Sequence, residues 1–151
     1  MWPFTRDNAI KSLEADTQFL KTPCGLLHQK ILADLTILRD RAYKRIMEIT
    51  SIVALIGRVE ETTVEEQLAV VTIVQAWITA QDAEETVFTA CQAAIDAMNM
   101  AQNIDSAIGR EYIISKLLSE VEHAALLARA ANLHATNMHE KFLKLRRHTR
   151  A

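Results

Sequence analysis

ISKLLSEVEHAALLARAANLHATNMHEKFLKL, residues 114–145, is the stretch that decides the fold. Within it Ile114, Leu117, Val121, Ala124, Ala128, Ala131, Ala135, Met138, Phe142 and Leu145 recur at three-four spacing for more than four heptads. That period puts all of them on one stripe of an α-helix, as a coiled-coil seam requires. The middle of the stripe is alanine, and small side chains let two helix axes approach more closely than leucine would. Ala124, Ala128, Ala131 and Ala135 are therefore expected where packing is tightest. Leu126, Leu127 and Leu133 lie off the stripe, and between Ala124 and Leu133 the only polar residues are Arg129 and Asn132. A helix apolar nearly all round is either central in its own bundle or shared between subunits. Leu126 and Leu133 are accordingly expected at a subunit contact, in a homo-oligomer or larger assembly.

Working back along the chain, Thr63-Val-Glu-Glu66 fits a capping box, in which the threonine oxygen accepts from the third helical N–H and the glutamate reaches back. The helix it starts has an expected stripe of Val64, Leu68, Val71, Val74 and Ile78, resuming with Val87, Cys91, Ala94, Met98 and Ala101. Polar Gln81 to Glu85 lies between, so one long helix or two, broken near Asp82, are both open. Asn99, Asn103 and Asp105 favour a turn, and Asp105 or Ser106 would cap the C-terminal helix. Thr22-Pro23 is another start signal, since proline at the first helical position loses no needed hydrogen bond. From there Ile31, Leu35, Leu38, Ala42, Ile46, Ile49, Val53 and Ile56 form one stripe on a helix of about 35 residues. Thr5 can cap a short helix from Arg6 to Phe19, with Ala9, Ile10, Leu13 and Phe19 apolar.

The fold class that follows is all-α: an elongated antiparallel bundle of three long helices plus a short N-terminal one, or four or five helices if the long ones break. Residues 1–151 form one domain, with an N-terminal arm at 1–5 and a basic C-terminal end at 141–151. Composition agrees. With 151 residues, 50% hydrophobic, the chain supports one core, and 3 Gly and 2 Pro are too few for the turns of a sandwich, a barrel or a Gly-rich nucleotide-binding fold. No stretch approaches the ~18 apolar residues of a membrane span, and the opening residues lack a signal-peptide run, so the expected location is cytoplasmic. Cys24 and Cys91 have no metal or redox spacing and read as buried thiols.

Charge is distributed unevenly. Residues 1–58 carry nine Lys/Arg against six Asp/Glu, residues 59–109 none against nine, and residues 110–151 eight against four. Segments of opposite sign attract one another within the fold or between copies. Two basic clusters are candidates for the acidic helix of a neighbour: Arg39, Arg41, Lys44 and Arg45, and the end Lys141, Lys144, Arg146, Arg147 and Arg150. Such a contact would run head to tail. The C-terminal cluster also suits nucleic acid or an anionic membrane, with Phe142, Leu143 and Leu145 on its apolar side. Its simpler role is to offset the helix dipole.

Catalytic and cofactor motifs are sparse. Glu120-Val-Glu-His123 supplies half the ligands of a carboxylate-bridged di-iron site, but the sequence has no second ExxH, and Glu48, Glu84 and Glu85 are merely available. His134 follows His123 by eleven residues, about 16 Å along a helix and too far to share an ion. These histidines and His139 are expected to face solvent. Glycines at 25, 57 and 109 cannot build a GxSxG elbow, a phosphate loop or a GxGxxG turn. No cofactor is expected. Trp2 and Phe4 could dock on the bundle, on a neighbour or at a membrane interface. The functional expectation is a non-enzymatic structural or protein-interaction subunit that self-associates through long amphipathic helices. The alternatives are a ferritin-like metal- or cofactor-binding bundle, or an adaptor for nucleic acid or anionic membrane.

Overall fold

The computed structural model describes residues 28–58, 60, 63–101 and 107–149. They form three α-helices: α1 (His28–Gly57), α2 (Val64–Ala101) and α3 (Ala107–Thr149). No strand occurs among the described residues. At 1.5 Å per residue these 30, 38 and 43 residues span about 45, 57 and 64 Å. The expected Arg6–Phe19 helix, its Thr5 cap, the Thr22-Pro23 start, Cys24, Trp2, Phe4, Asp105 and Ser106 lie outside the described residues.

Cross-helix contacts set the topology. Thr50 meets Gln81, Arg45 meets Glu84 and Arg39 meets Gln92, so α1 and α2 run antiparallel. Trp77 meets His139 and Glu84 meets Asn132, so α2 and α3 are antiparallel too. The middle helix packs along both neighbours.

The start of α2 follows its sequence signal: the Glu66 N–H donates to Thr63 Oγ1 at 3.1 Å. The break considered near Asp82 does not occur; α2 is one helix. Three of its exposed threonines fit because the hydroxyl donates to the carbonyl one turn back, Thr72 to Leu68, Thr79 to Gln75 and Thr86 to Asp82. At the end of α1 the Arg58 N–H closes a turn on the Leu55 carbonyl.

The core is in two parts. One joins Leu35, Leu38 and Ala42 of α1 to Val87, Cys91, Ala94 and Met98 of α2 and Val121, Ala124 and Ala128 of α3. The other joins Ile49, Ile52 and Ile56 to Val70, Ile73, Trp77 and Ala80, and to Ala135 and Phe142. The seam expected on α3 is seen: Val121, Ala124, Ala128, Ala135 and Phe142 are buried, and Ile114, Leu117, Ala131, Met138 and Leu145 half-buried. The seam expected on α1 is also seen, with Ile52 and Arg45 joining it.

The first half of α2 departs from expectation. Val64, Leu68, Val71 and Ile78 stay exposed, at 70%, 65%, 69% and 37%, and only Val74 of that set packs against the core. The buried stripe is Val70, Ile73, Trp77 and Ala80 instead. Residues 67–81 contain no charged side chain, so this segment has two apolar faces. The face bearing tryptophan buries more area and continues in register into Glu84, Val87 and Cys91.

Candidate functional site

Three polar side chains separate the two halves of the core. Glu84, fully buried, accepts at Oε1 from Arg45 Nε at 2.7 Å and from Asn132 Nδ2 at 2.9 Å. Asn132 also donates to the Ala128 carbonyl at 2.8 Å, and Thr136 beside it donates to the Asn132 carbonyl. Asn132 Oδ1 is buried without a hydrogen-bond donor among the described residues. Charge-assisted bonds inside a low-dielectric core are strong, but they mainly offset the cost of desolvating the ions. The layer has the character of a structural tie through all three helices.

Its residues correct two expectations. Arg45 is not part of a surface patch for a neighbour: it lies 7% exposed against a carboxylate of its own chain. Part of the attraction between basic and acidic segments is thus spent within one molecule. Arg39, from the same cluster, bonds Asp40 and Gln92. The second correction is Glu84 itself, seen in the sequence only as an available carboxylate. A signal was present: 77, 80, 84, 87 and 91 are consecutive stripe positions, and a charge among them needs a buried partner.

His139 is the other departure, for it is 3% exposed rather than solvent-facing. It sits between Ala135 and Phe142 on the stripe, where Trp77 Nε1–H donates to its Nδ1 at 3.0 Å and both aromatic rings meet it edge-on. Accepting at Nδ1 requires the neutral ring protonated at Nε2. Burial lowers its pKa from 6.5 to about 4.

Glu120 and His123 are both exposed on α3, and among the described residues no group of three or more His, Cys, Asp and Glu is arranged to hold a metal ion. His134 and His148 are exposed as well. Cys91 is a buried thiol. None of the described helices is long and apolar enough to cross a membrane.

What remains is surface. Opposite its buried stripe, α2 presents Val64, Leu68, Val71 and Gln75, with Ile78 at the edge, and continues in the same four-three spacing into exposed Asp82 and Glu85. On α3, Leu126 and Leu127 are 43% and 54% exposed, Ala130 is exposed and Leu133 half-buried. The alanines expected where packing is tightest lie inside the chain, with Ala124, Ala128 and Ala135 buried and Ala131 half-buried against the core, while of the leucines expected at a subunit contact Leu126 faces outward and Leu133 is half-buried. In the basic end Lys141, Lys144 and Arg147 are exposed, while the Arg146 guanidinium lies 5.7 Å from the centre of the Phe142 ring. Arg150 is outside the described residues.

Compared with protein-family models, curated proteins and solved structures, the chain matches none.

Proposed function

We propose that the chain is a non-enzymatic interaction subunit of the cytoplasm, a helical rod that binds other protein through the outer faces of α2 and α3. The observation that carries this reading is the stripe Val64, Leu68, Val71 and Ile78, exposed on a helix segment without a single charge from 67 to 81. Contiguous exposed apolar surface on a folded domain marks interaction sites far more often than isolated residues do. The four-three spacing is that of a coiled-coil seam, which a partner helix would complete. Leu126 and Leu127 provide a second outward apolar patch on α3.

The test is a photo-reactive phenylalanine analogue placed at position 71, at 127, or at the exposed control position 30. Illumination in cells is expected to give discrete protein adducts from the first two, and Leu68→Glu is expected to remove those from position 71. Adduct yields at 71 and 127 no greater than at 30 would refute the reading. Leu126→Glu with Leu133→Glu is expected to dissociate an assembly while helicity by circular dichroism is kept; a collapse of helicity would assign these leucines to the subunit's own packing.

A further inference from the structure

The two outer faces match each other. On α2 a stretch of the exposed face runs from apolar Leu68 and Val71 to acidic Asp82 and Glu85; on α3, after exposed Glu120 and His123, a stretch runs from apolar Leu127 and Ala130 to basic Lys141 and Lys144. The intervals agree position for position: three residues, then eleven, then three on each helix. Laid side by side in the same direction, the helices put Leu68 opposite Leu127, Val71 opposite Ala130, Asp82 opposite Lys141 and Glu85 opposite Lys144, with Gln75 and Ile78 opposite His134 and Asn137 between them. Within one chain these faces point away from the shared core and the helices run antiparallel, so the match cannot be made internally. Resting on the interaction reading above, we infer that the partner of α2's outer face is α3's outer face on a second copy of this chain.

Charge complementarity favours that occupant over the obvious rival, the same α2 face of another copy. No Lys or Arg occurs from 59 to 109, so two α2 faces give Asp82 and Glu85 no cation to meet in either direction: laid parallel the carboxylates face one another, and laid antiparallel they face uncharged residues or the helix start. The match also has a geometric consequence. A parallel contact between helices that are antiparallel in each chain turns every successive copy end over end. Each added copy still presents one unused face, so association continues as an open chain.

The experiment uses the full-length protein in two charge-reversed forms, Asp82→Lys with Glu85→Lys, and Lys141→Glu with Lys144→Glu. All four side chains are exposed, so neither form should lose helicity. By sedimentation at low salt, wild type is expected to grow in mean mass with concentration, and each reversed form to associate about tenfold more weakly. An equimolar mixture should assemble again, because the lysines introduced on α2 of one form meet the glutamates introduced on α3 of the other. A carbodiimide, which joins carboxylates to amines in contact, should link Asp82 or Glu85 to Lys141 or Lys144 between isotopically distinct copies. A wild type that stays monomeric at micromolar concentration, stops at a dimer, or a mixture no better associated than its components would overturn the inference. If position 71 meanwhile yields adducts with a different protein, the interaction reading survives and the self-pairing alone is lost.

Discussion

His139 shows how one side chain can set a condition on the whole fold. Its Nδ1 accepts from Trp77 only while the ring is neutral, and protonation would turn two donors toward each other in a buried site. Because the folded pKa is about 4 against 6.5 in the unfolded chain, the unfolded state binds the extra proton first as pH falls. Its neutral form is fully compatible with the fold above pH 6.5, and stability is lost progressively from there down to pH 4. The loss is about 3 kcal/mol at 1.36 kcal/mol per unit. Urea titrations at pH 7 and pH 4 check this, and His139→Leu is expected to lower stability at pH 7 while removing this residue's part of the acid dependence. The buried ion pair behaves differently under mutation. Glu84→Ala leaves Arg45 charged and partly desolvated, and is expected to cost about 3–5 kcal/mol. Arg45→Met together with Glu84→Leu should recover most of that, as read by a double-mutant cycle.

At the scale of the helices, the legible features were those with one answer. Thr63 is followed by Glu66 three residues on, and α2 starts there; Thr63→Ala is expected to cost about 1 kcal/mol in thermal or urea unfolding. The alanines of α3 recur without a slip, and Ala124, Ala128 and Ala135 are buried where the spacing put them. Enlarging the middle one, Ala128→Leu, should overpack the contact by about 1–3 kcal/mol. The first half of α2 was not legible because residues 67–81 present apolar side chains on two faces, and periodicity alone ranks neither. Trp77 decided between them by the area it buries. Arg45 and His139 were misread, and Glu84 and Asn132 passed over, for a common reason: a polar residue on a core stripe looks like an interruption until its partners on other helices are known. Which faces of α2 and α3 stay exposed likewise depended on three-helix packing, which no single helix's pattern contains.

For the whole molecule, assembly and folding draw on separate residues. Leu68, Val71, Asp82 and Glu85 face outward, whereas the core is built from Val70, Ile73, Trp77 and their partners. Leu68→Glu with Val71→Glu is therefore expected to leave the unfolding free energy from urea titration within about 0.5 kcal/mol of wild type while reducing association, a separation that paired unfolding and sedimentation measurements can read. The Glu84 layer carries a further consequence for how the helices find their alignment. Aliphatic seams of four-three spacing tolerate sliding by one heptad, since each small or branched residue meets another much like it. Moving α2 by seven residues would carry Glu84 into the place of Cys91 or Trp77, parting its carboxylate from both Arg45 and Asn132 and leaving it among hydrocarbon. A single charged rung thus penalises every neighbouring alignment at once, and acts as the index mark against which two otherwise repetitive grips on the helices are set.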